Sequence, residues 1–132
     1  MCGIVGYFSR GTAVPSQGAL DQAIDLLAHR GPDDRGSWRR TNVGLGVRRL
    51  SIQDLSEKGH QPMVSNDGRH VVALNGEIYN FKQLRSELEA EGHTFSSRTD
   101  TEVLLKLFEV EGRSCLQKLN GMFAFAVYDL QS

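Results

Sequence analysis

Apolar residues along this chain fall into short runs with a strand period and longer stripes with a helix period. Gly3–Ser9 carries Ile4, Val5, Tyr7 and Phe8 and reads as a buried strand ending in the loop Arg10-Gly11-Thr12. Leu20, Ala23, Ile24, Leu27 and Ala28 recur at helical spacing, which predicts an amphipathic helix over Gly18–Ala28. Gly31 and Pro32, within His29-Arg30-Gly31-Pro32-Asp33-Asp34, forbid its continuation. Gly36–Thr41 and Val43–Arg48 read as a strand pair, Leu50–Leu55 as a mixed segment and Gly59–Pro62 as a loop. Asn66-Asp67-Gly68 is a hairpin signal between Met63-Val64 and His70–Leu74.

The second half is more helical. Asn80 with Gln83 has the spacing of a capping box, opening a helix through Glu91 with Phe81, Leu84 and Leu88 inward. Thr99 with Glu102 repeats that signature before a helix with Val103, Leu104, Leu107 and Phe108 on one face. Gly92 and Gly112 end the two helices. A helical turn is expected over Ser114–Leu119, then a hydrophobic strand over Gly121–Leu130. Strands and helices mix, with hairpin-like strand connections, so the expected fold is α+β with layered antiparallel sheets. The last strand needs neighbours on both sides. Either it is an open edge, or the natural chain runs beyond Ser132, and the expectation is a piece of a longer protein.

Composition adds bounds. The 132 residues suit one domain. A hydrophobic fraction of 39% and a charged fraction of 23% are those of a globular protein. The net charge of -1 predicts no bulk attraction to nucleic acid or anionic lipid. No apolar run approaches the roughly 18 residues of a membrane span, and the N-terminus lacks the flanks of a secretory signal. The expected location is cytoplasmic. Cys2 and Cys115 are then expected to stay reduced, with Cys115 a small core residue. The four histidines are scattered, without an i, i+4 pair, so no metal site is expected. Gly44-Leu45-Gly46 lacks the third glycine of a dinucleotide loop, and no Walker A loop is present.

Cys2 is the residue with unusual chemistry. Once Met1 is removed, it carries a thiol and a free α-amine. The amine titrates near about 7.7–8.0 in simple peptides, close to working pH, where a general base is most useful. One residue then supplies nucleophile and base. A small buried cysteine is the competing reading. Asn75-Gly76 is the favourite sequence of a type I′ turn, and spacing alone favours that reading. The alternative is an oxyanion hole made by the Asn75 amide and the Gly76 N–H. Arg48 and Arg49 should face opposite ways on a strand, leaving one enclosed and suited to a carboxylate. Asp100 at a helix start is either a dipole partner or a carboxylate for a substrate ammonium. Arg30 could be structural.

Taken together, Cys2-Gly3-Ile4, His29-Arg30-Gly31-Pro32-Asp33, Arg49-Leu50-Ser51-Ile52, Asn75-Gly76-Glu77-Ile78-Tyr79-Asn80, Asp100 and Gly121-Met122-Phe123-Ala124-Phe125-Ala126 resemble a known family. They resemble the glutaminase domain of glutamine-hydrolysing asparagine synthetases, an N-terminal-nucleophile class of amidotransferase. The motifs run in family order over 2–132. The resemblance implies a four-layer α/β/β/α sandwich of mainly antiparallel sheets, with this chain expected to hold a truncated, N-terminal part of it. It implies Cys2 as nucleophile, with Asn75 and Gly76 holding the oxyanion. Arg49 would bind the glutamine α-carboxylate and Asp100 its ammonium, with Ile52 and Glu77 completing the pocket and Arg30 positioning Cys2. It implies no cofactor in this domain. ATP and Mg would belong to a C-terminal synthetase domain, whose Ser-Gly-Gly-x-Asp-Ser loop this chain lacks. That domain and L-glutamine are the implied partners, and the resemblance leaves room for a homodimer. Three other readings stay open: a related amidotransferase with another acceptor, a non-catalytic binding module, and a truncated remnant.

Overall fold

A computed structural model describes residues 1–131; Ser132, the last residue of the expected domain span, lies outside them. The N-terminal half forms β1 (Gly3–Phe8), α1 (Gln17–Leu26), β2 (Asp34–Arg40) and β3 (Val43–Arg49). The C-terminal half forms β4 (Met63–Val64), β5 (His70–Ile78), α2 (Phe81–Ala90), α3 (Asp100–Glu111) and β6 (Gly121–Asp129). Two antiparallel sheets result, ordered β1-β3-β2 and β4-β5-β6. The first carries α1 on its outer face and the second carries α3, which packs in turn against α2. The sheets meet through β1, β3 and β5. The expected α/β/β/α layering is therefore present.

Alternation along β5 divides its side chains between two cores. Val72, Leu74 and Ile78 pack with Leu84, Leu88, Val103, Leu104, Leu107 and Cys115 under the helices. Val71 and Ala73 face the other way, toward the buried Val43, Leu45 and Val47 side of the molecule. Cys115 is fully buried, as expected of a small core residue. Among the described residues β6 pairs only with β5.

Four local readings need correction. The first helix ends at Leu26 rather than Ala28, because Leu27 and Ala28 donate to Ile24 O and Asp25 O in tighter turns. Leu50–Leu55 forms no regular element. Asn75-Gly76 is no turn: β5 runs through it, pairing Asn75 with Ala124 and Gly76 with Phe123. A full-length partner in β6 outweighs the local turn preference. Asn80 makes no cap hydrogen bond. Its amide instead donates to Lys118 O at 2.8 Å and accepts from Asn120 N at 2.9 Å, tying the start of α2 to the entry of β6.

The second capping signal is half right. Thr99 Oγ1 accepts from Glu102 N at 3.2 Å. The Glu102 carboxylate reaches further back, to the N–H groups of Ser96 (2.8 Å) and Ser97 (2.6 Å) and to both hydroxyls. Burial pushes the Glu102 carboxyl up, but these bonds outweigh it and hold the group below its ordinary value. The start of α3 is thus strongly anchored. No helix among the described residues is long and apolar enough to cross a membrane.

Leu104 has no exposed surface. Leu104→Ala should lower stability by about 2–5 kcal/mol, read as a shift in the urea midpoint without a change in slope.

Candidate active site

Cys2 stands immediately before β1, whose first pair is Gly3 with Arg48. Its thiol lies beside the residue following β3, where Leu50 N donates to Sγ at 3.4 Å. Arg30 Nε donates to Cys2 O at 3.2 Å. The turn that carries Arg30 also holds the end of β3: Asp33 N donates to Arg49 O at 3.1 Å, and Ser51 N donates to Asp33 Oδ2 at 2.8 Å. The Arg-Gly-Pro-Asp stretch is therefore a bracket that fixes the terminus against the strand next to it.

The two arginines of β3 do face opposite ways. Arg48 turns to α1 and pairs with Asp25 at 2.7 Å. Arg49 turns inward and is 6% exposed. Its guanidinium donates to the carbonyls of Asp54 and Ser56. It packs so closely on Gly59 that a Cβ there would fall 2.1 Å from Nη2. Among the described residues no carboxylate makes an ion pair with Arg49. Asp100, in the first turn of α3, is 7% exposed and accepts from Ile78 N at 3.0 Å. Burial pushes its carboxyl above the ordinary value, against the pull of the Ile78 and Thr101 N–H groups, and nearby Glu77 adds to the rise. It too lacks an ion-pair partner among the described residues.

Cys2, Arg49, Ile52, Gly76, Glu77 and Asp100 line one cavity of about 140 Å³. Ile52 comes from the irregular segment after β3 and is 62% exposed, forming part of the rim. Asn75 does not line the cavity, and its Oδ1 is buried without a hydrogen-bond partner. Gly76 has φ +130°, and a Cβ on it would meet Met122 O at 2.1 Å. Only glycine fits there. Arg30 stays outside the lining and touches the site through Cys2.

The hydrogen bonds of β5 show where the Gly76 N–H points. Leu130 N donates to Arg69 O, and Tyr79 N donates to Asn120 O, so odd-numbered residues bond toward β6. Even-numbered residues face the opposite edge. There Leu74 N is taken by Gln61 Oε1 at 2.7 Å and Ile78 N by Asp100. Gly76 lies between them, on the edge that borders the cavity.

Sequence reasoning missed Gln61, Gln53, Thr99 and Thr101, which also line the cavity. Loop residues carry no periodicity, so nothing in the pattern marked Gln53 or Gln61. It also missed Asp67, His70 and Glu109, whose ligand atoms lie within 4.8 Å of one another. Arg69 and Arg113 border that depression and Lys106 pairs with Glu109, so its charge does not favour a cation.

The family model of the glutamine amidotransferase domain matches residues 1–132. This chain belongs to that family. It is 42% identical to asparagine synthetase [glutamine-hydrolyzing] 1 of Bacillus subtilis over 132 residues, covering 98% of this chain and 21% of that protein. It is 42% identical to asparagine synthetase B [glutamine-hydrolyzing] of Escherichia coli over 130 residues, covering 98% and 23%. The amidotransferase chain thus spans about a fifth of the length of these curated relatives. Among solved structures it is similar to the glutamine phosphoribosylpyrophosphate amidotransferase of B. subtilis. That likeness has a TM-score of 0.58 and 27% identity, over 68% of this chain and 22% of that one. The likeness supports an N-terminal-nucleophile sandwich.

In this amidotransferase domain the wall around Arg49 is held by Asp54. Its carboxyl is lowered to about 2 by the Ser56 hydroxyl and by the N–H groups of Arg98 and Ser56. A lowered carboxyl stabilises the fold above its ordinary value of 3.8, and the contribution fades as pH falls toward about 2. The amide signals of Ser56 and Arg98 should therefore move together over that interval in an acid titration followed by NMR. In Asp54→Asn the titration should be absent.

Proposed function

We propose that this domain hydrolyses L-glutamine to L-glutamate and ammonia, with Cys2 as an N-terminal nucleophile. The observation that carries this reading is the pairing of opposite charges in one cavity. Arg49 and Asp100 are both buried, and neither makes an ion pair within 4 Å among the described residues. Buried charges need partners. A free α-amino acid supplies a carboxylate for one and an ammonium for the other. The cavity also holds the Cys2 thiol, which can meet the side chain of the same molecule.

The chemistry follows. Removal of Met1 frees the Cys2 α-amine, which takes the thiol proton, directly or through water. The sulfur attacks the side-chain amide carbon. The oxygen becomes an oxyanion beside the Gly76 N–H; the Asn75 amide, which does not line the cavity, would have to turn toward it to act as the second donor. Collapse breaks the C–N bond, and the leaving nitrogen takes the proton from the α-ammonium to depart as ammonia. Water then attacks the γ-glutamyl thioester, returning the thiol and releasing glutamate. Donors preset at the oxyanion are each worth about 10²–10³ in rate.

The relatives' names support the larger assignment. We assign this domain to an asparagine synthetase in which ammonia passes to a C-terminal synthetase part. There ATP, with Mg, would activate aspartate. This domain itself needs no cofactor.

Cys2→Ala should reduce glutamate release to the uncatalysed background while glutamine still binds. A variant that keeps the parental rate would sink the nucleophile assignment. Asp100→Asn should raise KM for glutamine roughly 10–100-fold, as expected for losing a charged hydrogen bond of about 1.5–3 kcal/mol. The ammonium binds the ionised carboxylate, so KM in the parent should also rise as pH falls through the raised Asp100 value. That rise should vanish in Asp100→Asn, which a KM profile against pH would read.

A further inference from the structure

Gln61 is 5% exposed, and both ends of its amide are occupied. Oε1 accepts from Leu74 N at 2.7 Å, and Nε2 donates to Thr101 Oγ1 at 3.2 Å. The backbone N–H can only donate, so it fixes which end of the amide is which. The side chain stands where a strand would otherwise be. β4 has two residues, and its pairing with β5 ends at Met63 with Val72. Beyond that point Gln61 takes the N–H of Leu74, and Asp100 takes that of Ile78.

These bonds close a ring. It runs from Leu74 to Gln61, across to Thr101, along one peptide to Asp100, and back to Ile78. Gly76 lies midway along the strand that forms the ring's third side. The N–H assigned to the oxyanion and the carboxylate assigned to the ammonium are thus held by one set of hydrogen bonds.

We propose that Gln61 is a positioning residue for glutamine hydrolysis: it fastens the unpaired edge of β5 to the start of α3 and thereby sets the reach from Asp100 to the Gly76 N–H. This rests on the function proposed above. A substrate anchored by its ammonium at one end must present its amide oxygen to a donor at the other. An error in that reach leaves ground-state binding nearly intact and weakens contact with the oxyanion, which exists only during reaction. Loss should therefore fall on kcat and not on KM.

The test uses the full-length protein that carries this domain. Gln61→Met keeps the side-chain length and removes both hydrogen bonds. Its kcat for glutamate release should fall roughly 10–100-fold, the scale of a small misplacement of reacting groups, with KM within about threefold of the parent. Gln61→Glu keeps an acceptor for Leu74 and can accept from the Thr101 hydroxyl, so it should hold the edge of β5 and recover part of kcat at a pH low enough to keep the added carboxyl neutral. Leu84→Ala, a core truncation beneath α2, controls for general destabilisation and should leave kcat unchanged. Amide exchange at Leu74 should accelerate in Gln61→Met and not in Gln61→Glu, whatever the activity. Should Gln61→Met fail to fold, Thr101→Val opens the same ring with an isosteric residue, and kcat should still fall several-fold. Parental kcat in both Gln61→Met and Thr101→Val, with Cys2→Ala inactive, overturns the positioning role. Parental activity in Cys2→Ala overturns the nucleophile assignment instead.

Discussion

β4 begins only at Met63, opposite Val72, and among the described residues the length of β5 past that pair has no strand on that side. A buried edge of this kind must still satisfy its N–H groups. Two side chains do so, Gln61 from a loop and Asp100 from a helix start. The group between them, on Gly76, is left facing a cavity. The site exists because a sheet ends early and the vacated edge is only partly filled.

The charges follow from the same geometry. Asp100 lies at the edge of β5 because α3 starts there, anchored by the Ser96–Glu102 network. Arg49 ends β3 and is folded inward under the segment that includes Asp54 and Ser56. Both charges are largely removed from water, and among the described residues neither makes an ion pair. Burial accordingly pushes the Asp100 carboxyl above its ordinary value. A zwitterionic ligand of the kind proposed above would offer an opposite charge to each.

Cys2 is held differently. Its backbone is gripped by Arg30 and its sulfur rests against Leu50, both secured through the Asp33 turn. A chain terminus is ordinarily the least ordered part of a domain. Here β1 begins one residue later and pairs along its length with β3. Cys2 is therefore held next to a fully paired strand and not on a fraying end.

Much of this was legible beforehand. Strand and helix periods placed all the main elements, and the motif order pointed to the amidotransferase family and to Cys2, Arg49, Gly76 and Asp100. Periodicity depends on side-chain hydrophobicity, which is a local property of the sequence. The errors lie where distant pairing overrides a local preference. Asn75-Gly76 is drawn into β5 by β6, and Asn80 gives up its cap to bind Lys118 and Asn120. Gln61 was invisible for a related reason. Its importance comes from standing beside Leu74 and Thr101, 13 and 40 residues away in sequence. The sequence by itself determined the order of the elements and the motifs that mark the family. Only the tertiary structure decided which residues share a cavity, which charges make no ion pair among the described residues, and which edge of β5 borders the cavity, because those depend on contacts between segments far apart in the chain.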